Sequence, residues 1–381
     1  SAKYDSVPLV LLVGQVPRSA RGREAGQEID YTHFFGTIAK WVIEINEAAQ
    51  VPRTMARAFH IARSGRPGPV VVSLPRDMLE EDADISMIDP YPEVRSNPDP
   101  KAIEAMVGRI NAANKPVLIA GSGTQYSEAR QELIDFSEKF QVPVLTTYKR
   151  QDAFPNSHPN YIGNVANANR HTRGLVVNEA DLVVVIGSRL NQQTTGGFAF
   201  PWPGQPFIQI YPDEQYIGQN LRPDLGIIAD AKIALTAALK IQGPRPNESR
   251  AAWVAQHHAA QKHYSTPPER PTRRVSMERV MADLKAALPS DAITATDAGS
   301  FGQWPQRYLE FEHPDSYISP TLGCMGPGIP SAVAAKLAHP GRLVVAHIGD
   351  GGFLMTGQEM ATAKQFGANI VAIVYNNEGY N

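Results

Sequence analysis

The chain has 381 residues, with 36 Lys and Arg against 38 Asp and Glu and a formal net charge of −2 at pH 7. At about 150 residues per domain this length points to two or three domains, and the near-neutral balance offers no electrostatic footprint for DNA or an anionic membrane. One cysteine, Cys324, excludes an internal disulfide and fits a reducing, cytoplasmic compartment. No run of 18 apolar residues marks a membrane-spanning helix, and no signal peptide is visible. The ten histidines show no metal-ligand spacing, so His257, His258 and His263 read as solvated helix positions. The apolar run from Val7 to Val13 begins within a few residues of the start, and the chain stops two residues after Gly379. Both ends therefore read as cut.

In chain order, residues 1–85 predict a strand at Pro8–Gly14, helical stretches at His33–Ala48 and Thr54–Ala62, and a strand at Val70–Leu74. A Pro- and Asp-rich connection, Asp82–Pro100, reads as a linker. Residues 101–242 alternate again. Helix Ala102–Ala112 precedes strand Pro116–Ala120, helix Glu128–Phe140 precedes strand Val142–Thr147, and helix His171–Asn178 precedes strand Leu182–Gly187. Strand Pro206–Tyr211 and helix Lys232–Ile241 close this segment. A polar region, Gly243–Arg274, carries a charged helix over Arg250–His263, and residues 275–381 open with helix Met277–Leu288. Repeated β-α units imply parallel sheets with helices on both faces, so the predicted class is α/β, doubly wound. The predicted domains span 1–85, 101–242 and 275–381.

The last segment carries the strongest chemistry. Leu343–Ile348 reads as a buried strand ending at Gly349-Asp350-Gly351. Positions 352–375 form a spacer of 24 residues that holds a helix-like Gln358–Gln365 and the strand Ile370–Tyr375. That strand delivers Asn376-Asn377-Glu378-Gly379. In a β-α-β unit both strand ends emerge on one edge of a parallel sheet, where ligands bind. A carboxylate, an amide oxygen and glycine-loop backbone then converge. Hard oxygen ligands with one full charge suit Mg²⁺ that is also held by a phosphate group. For the motif alone, a simple turn and an unrelated Asn-Asn loop pair remain the alternative.

This pattern resembles the thiamine diphosphate motif, a GDG turn followed across such a spacer by NN. Other stretches resemble the acetolactate synthase group of thiamine diphosphate enzymes, which includes acetohydroxyacid synthases and benzoylformate decarboxylases. Asp5–Val10, Gly14–Pro17 and Gly65–Val70 look like the later part of that family's pyrimidine-binding domain. Ala25-Gly26-Gln27-Glu28 sits where the synthases read Ala-Phe-Gln-Glu. Asp297–Ser300 and Leu322–Pro330 look like the start of its diphosphate-binding domain. The resemblance covers essentially the whole chain.

The resemblance implies three α/β domains: pyrimidine-binding, central nucleotide-binding-like, and diphosphate-binding. It implies a homodimer or homotetramer, with each cofactor lying between two subunits, and a small 2-oxo acid as substrate. Asp350, Asn377 and the Gly379 carbonyl would hold Mg²⁺. Gly351 and Gly352 would offer N–H groups to the diphosphate, with Ser300 as a further contact. Gly323 and Met325 would meet the aminopyrimidine, the Met325 side chain wedging the cofactor into its bent form. Gln27 and Lys40 match substrate-pocket positions, and Gly26 in place of Phe removes a bulky wall. Cys324 is read as a packing residue.

Two departures bear on chemistry. The synthases bind FAD through a Gly-Met-His-Gly stretch and paired acids. Here Gly163-Asn164-Val165-Ala166 and Gly187–Gln193 lack both, so FAD is expected to be absent or weakly held. The family's activating Glu lies upstream of the Asp5-Ser6 region, so no catalytic residue is assigned. The chain by itself is expected to bind little thiamine diphosphate and to turn nothing over. Two other readings stay open: a noncatalytic cofactor- or nucleotide-binding homologue, and an NAD-dependent oxidoreductase resting on Gly121-Ser122-Gly123.

Overall fold

The computed structural model describes residues 1–165, 172, 174, 178–269, 275–377 and 379. The chain divides into two compact units, Ser1–Arg95 and Ser96–Asn381. Every strand pairing among the described residues is parallel.

The first unit holds a three-stranded sheet in the order β1 (Leu9–Gln15), β3 (Pro69–Pro75), β2 (Trp41–Glu44). Helix α1, Val51–Arg63, starts with Pro in its first turn and buries Thr54, Ala58 and Ala62, one stripe at four-residue spacing. This stripe meets Val70, Val72, Ile45 and Met78. The helix predicted over His33–Ala48 is corrected. Only Tyr31–Phe35 is helical, capped by Asp30 on the His33 N–H at 3.0 Å, and the chain then enters β2. The aromatic and β-branched run Trp41-Val42-Ile43 favours a strand, and β3 supplies the partner through Trp41↔Val70.

The second unit holds two sheets. A six-stranded sheet runs β6 (Tyr161–Val165), β5 (Val144–Thr147), β4 (Pro116–Ala120), β7 (Leu182–Ile186), β8 (Phe207–Tyr211), β9 (Leu225–Ile228). Strands β4 and β7 are buried along their whole length. Leu118 and Ala120 enter one core cluster while Val117 and Ile119 enter another, so both faces are covered. Helices α2 (Pro100–Ala112), α3 (Arg130–Phe140) and α4 (Ala231–Ala238) contribute to the first cluster. Helix α5 (Glu248–Tyr264) contributes Trp253 and Val254 to the second. Side chains of Asp99, Asp230 and Asn247 cap α2, α4 and α5. The sequence reading lacked β6 and β9, and the helix expected at 171–178 lies almost wholly outside the described residues. The solvated reading of two α5 histidines is corrected as well. His257 is buried against Trp253, and His258 Nδ1 lies 2.8 Å from the Tyr161 carbonyl. His263 is exposed.

The four-stranded sheet runs β11 (Tyr317–Ile318), β10 (Ile293–Thr296), β12 (Val344–Gly349), β13 (Val371–Tyr375). One face, with Ile293, Ala295, Val344, Ala346 and Ile348, packs on α6 (Gly328–Ala338) and on Ala363 of a following helix, Glu359–Gln365. The other face is polar. Thr296 Oγ1 donates to Ser319 Oγ at 2.7 Å, and His347 Nδ1 sits 2.7 Å from the Tyr375 hydroxyl. The buried Asp152 joins the two sheets, its Oδ2 accepting the Ser316 and Tyr317 N–H groups at 3.2 Å each.

Two buried groups give direct tests. Arg250, in the first turn of α5, is 1% exposed and donates to the carbonyls of Phe140 (2.9 Å), Ile110 (3.0 Å) and Ala113. It thus satisfies the open C-terminal ends of α2 and α3. Arg250→Met should lower stability by about 3 kcal/mol or more, because buried carbonyls lose charge-assisted partners. A urea midpoint equal to that of the unsubstituted protein would contradict this role.

Burial pushes the His347 imidazole down from 6.5 to about 4. Between those values the unfolded ring binds a proton that the folded ring refuses, so acidification favours unfolding. The contribution is fully present above pH 6.5 and falls by up to about 1.4 kcal/mol per pH unit towards pH 4. His347→Gln should remove about 2 kcal/mol of the stability difference between pH 7 and pH 5. Urea unfolding at both pH values reads this directly, and parallel losses in the two proteins would refute it.

Candidate functional site

The site is built at the C-terminal edge of the four-stranded sheet. Gly349 of β12 pairs with Tyr375 of β13, so Asp350 and Asn376 step off neighbouring strand ends. Asp350 opens the short helix Asp350–Thr356 and its Oδ1 accepts the Gly351 N–H at 2.9 Å. Gly351 and Gly352 are buried. Asn377 and Gly379 are exposed, the Gly379 N–H lying 3.4 Å from Asn377 Oδ1. Above Gly349 lies an aromatic layer. Phe301 stacks on Tyr375 with centroids 5.3 Å apart, and a Cβ on Gly349 would meet the Phe301 ring at 3.0 Å.

The centre of this edge is Asp297, 1% exposed, immediately after β10. Its Oδ1 accepts the Ala298 N–H at 3.0 Å and its Oδ2 the Gly326 N–H at 2.8 Å. A Cβ on Gly352 would lie 2.0 Å from that same Oδ2, and one on Gly328 would lie 3.4 Å from Asp297 Cβ. Gly326, at φ +99°, also gives its carbonyl to Thr356 Oγ1 at 2.5 Å. The 323–328 loop is therefore fastened at Gly326 from both β10 and the Asp350–Thr356 helix. Burial pushes the Asp297 carboxyl up, opposed by the two N–H groups and by the Lys149 charge. Lys149 itself is buried, with its ammonium 3.0 Å from the Pro320 carbonyl.

The structure thus gathers Asp350, Gly351, Gly352 and the Gly323–Met325 loop around one strand edge, with Asn377 and Gly379 beyond the neighbouring strand end. Ser300 is exposed and starts a short turn after Asp297. Met325 and Cys324 are half-buried. Gln27 and Lys40 belong to the first unit. Gln27 is exposed at φ +71°, while the Lys40 ammonium donates to the Ser64 and Arg66 carbonyls at 2.5 and 2.8 Å. A polar pocket of about 270 Å³ in that unit is lined by other residues, among them Gln15, Arg21, Glu28, Tyr31 and Glu44. Sequence reasoning quoted Asp297 only within a family stretch and gave it no role. The available signal was a lone carboxylate at a strand end before Gly299-Ser300.

The donor set is a test for a cation. Among the described residues no group of three or more His, Cys, Asp or Glu comes together. One carboxylate, one amide oxygen and one backbone carbonyl are hard donors that suit Mg²⁺ completed by phosphate oxygens and water. In the six-stranded sheet, the Gly121–Gly123 turn has a packing reason of its own. A Cβ on Gly121 would lie 2.4 Å from the Gly187 carbonyl oxygen, and one on Gly123 would lie 2.6 Å from Gly187 Cα. These glycines let two backbone turns touch, so their presence needs no nucleotide.

Comparison with known proteins bears on the same residues. Residues 103–238 match the family model "Thiamine pyrophosphate enzyme, central domain", and residues 297–381 match "Thiamine pyrophosphate enzyme, C-terminal TPP binding domain". The chain is 32% identical to a probable acetolactate synthase large subunit of Methanocaldococcus jannaschii, over 99% of this chain and 66% of that protein. It is 30% identical to the acetolactate synthase isozyme 1 large subunit of Escherichia coli, over 99% of this chain and 67% of that protein. The corresponding values for an acetolactate synthase large subunit of Lactococcus lactis are 30%, 99% and 66%. The chain spans about two thirds of the length of these curated relatives. It belongs to the thiamine pyrophosphate enzyme family, among relatives named as acetolactate synthase large subunits.

Proposed function

We propose that the protein carrying this chain is a thiamine diphosphate- and Mg²⁺-dependent enzyme that decarboxylates a 2-oxo acid and joins the remainder to a second carbonyl, as an acetolactate synthase would. The observation that carries the reading is the adjacency of Asp350 and the Asn376-Asn377 pair on paired strand ends, within the segment that matches the TPP-binding domain. Asp350, Asn377 and the Gly379 carbonyl hold the metal. Gly351 and Gly352 present N–H groups to the diphosphate, and Ser300 adds a contact. Gly323 and Met325 meet the aminopyrimidine. The bound cofactor supplies the electron sink for decarboxylation. The chain's part is to hold, orient and shield it.

Gln27 and Lys40 are proposed on the substrate side. Two carbonyl contacts also tie Lys40 to the Ser64–Arg66 segment. We assign three domains, 1–85, 101–242 and 275–381, and a homodimer or homotetramer in the cytoplasm. Large apolar side chains support a covered surface: Leu12 on β1 is 51% exposed, and Leu354 is 82% exposed. FAD is absent or weakly held.

Two measurements test this reading. In the full-length protein, Asp350→Ala removes the one carboxylate among the three proposed ligands and should weaken thiamine diphosphate affinity on the order of 10²-fold in the presence of Mg²⁺. Calorimetric titration reads it, and equal affinity in the variant would reject the assignment. For the flavin, the purified protein should be colourless across the flavin region. A stoichiometric yellow protein would mean that the central domain binds FAD without the paired acids.

A further inference from the structure

One buried carboxylate oxygen serves two loops. Asp297 Oδ2 accepts the Gly326 N–H at 2.8 Å and lies 2.0 Å from where a Cβ on Gly352 would stand. No side chain fits at position 352 unless the backbone or the carboxylate moves. Gly328 stands against the Asp297 Cβ in the same cluster, at 3.4 Å from its own added Cβ. The 323–328 loop and the 350–352 turn thus both close on a single residue.

We propose that Asp297 is a positioning residue that fixes the spacing between the loop meeting the aminopyrimidine and the turn meeting the diphosphate. The inference rests on the reading of the site given above. Asp297 is assigned no contact with the metal or the reacting atoms, only with the loops that would hold the cofactor. Its carboxylate sets where Gly326, and through it Gly323 and Met325, stand relative to Gly351 and Gly352. A ligand that uses only one of the two ends is insensitive to this spacing. A ligand that spans both ends is sensitive to it.

Burial alone does not explain the arrangement. The carboxylate carries a desolvation cost, visible in its raised pKa, and is balanced only by two N–H groups and the charge of Lys149. A threonine or serine could satisfy one N–H more cheaply. The carboxylate offers two oxygens in fixed geometry, one for its own turn and one for the neighbouring loop.

The experiment uses the full-length protein that carries this chain, with Mg²⁺ and two probes, thiamine diphosphate and inorganic diphosphate, each titrated calorimetrically. Asp297→Asn keeps size and shape but turns one acceptor into a donor. It should weaken thiamine diphosphate about tenfold or more while changing inorganic diphosphate less than about threefold. A purely structural role would weaken both probes alike, and that result overturns the proposal. Gly352→Ala supplies the second arm. It should weaken thiamine diphosphate about tenfold in the unsubstituted protein but less than about threefold in the Asp297→Ala background, where space is freed. Equal costs in both backgrounds contradict the shared-oxygen geometry. If the unsubstituted protein binds neither probe, the functional reading itself fails and takes this inference with it. Binding with equal costs overturns the inference alone.

Discussion

Parallel pairing is the constraint from which the site follows. A parallel strand pair needs a crossover, and the crossover places a helix on a sheet face. In the six-stranded sheet the central strands are then buried on both faces and apolar throughout, as Val117 to Ala120 and Val183 to Ile186 are. The same crossover brings successive strand ends to one edge. The charged and amide side chains Asp297, Asp350 and Asn377 follow the strand ends there, and these ends can face a ligand without breaking the core.

The price of packing continuous apolar layers is a set of joints where backbone groups would otherwise be stranded. This chain closes several of them with buried charged side chains on backbone partners. Arg250 meets carbonyls at the ends of two helices, Asp152 meets two N–H groups of the strand β11 region, and Lys149 meets the Pro320 carbonyl. Asp297 belongs to the same class but stands at the functional edge. Each contact is local in space and distant in sequence, so each fixes one segment against another. Lys149 also acts on Asp297 through its charge.

Much of this was legible in the residues. The GDG turn, the spacer and the Asn-Asn pair place themselves, because a β-α-β unit has one handedness and one binding edge. Pro116–Ala120 was read with its observed boundaries, since a short apolar run between polar turns has few alternatives. What was illegible has physical reasons. Trp41–Glu44 follows an apolar stretch whose periodicity suits helix or strand, and only pairing with β3 decides. Tyr161–Val165 contains Gly163 at φ +111° and Asn164, both poor strand residues, and is held by its neighbour β5. His257 reads as polar, yet it is buried in an edge-to-face contact with Trp253. Asp297 looked like one letter of a family stretch. Its weight comes from Gly326 and Gly352, which lie 29 and 55 residues further on and which no local pattern connects to it.

The most direct measurement is a crystal structure of the protein with thiamine diphosphate and Mn²⁺ substituted for Mg²⁺, the metal located by its anomalous scattering. The metal is expected about 2 Å from a carboxylate oxygen of Asp350 and the side-chain oxygen of Asn377. The diphosphate is expected against Gly351 and Gly352 and the aminopyrimidine against the Gly323–Met325 loop. A metal bound away from Asp350, or a cofactor lodged elsewhere, would contradict this assignment.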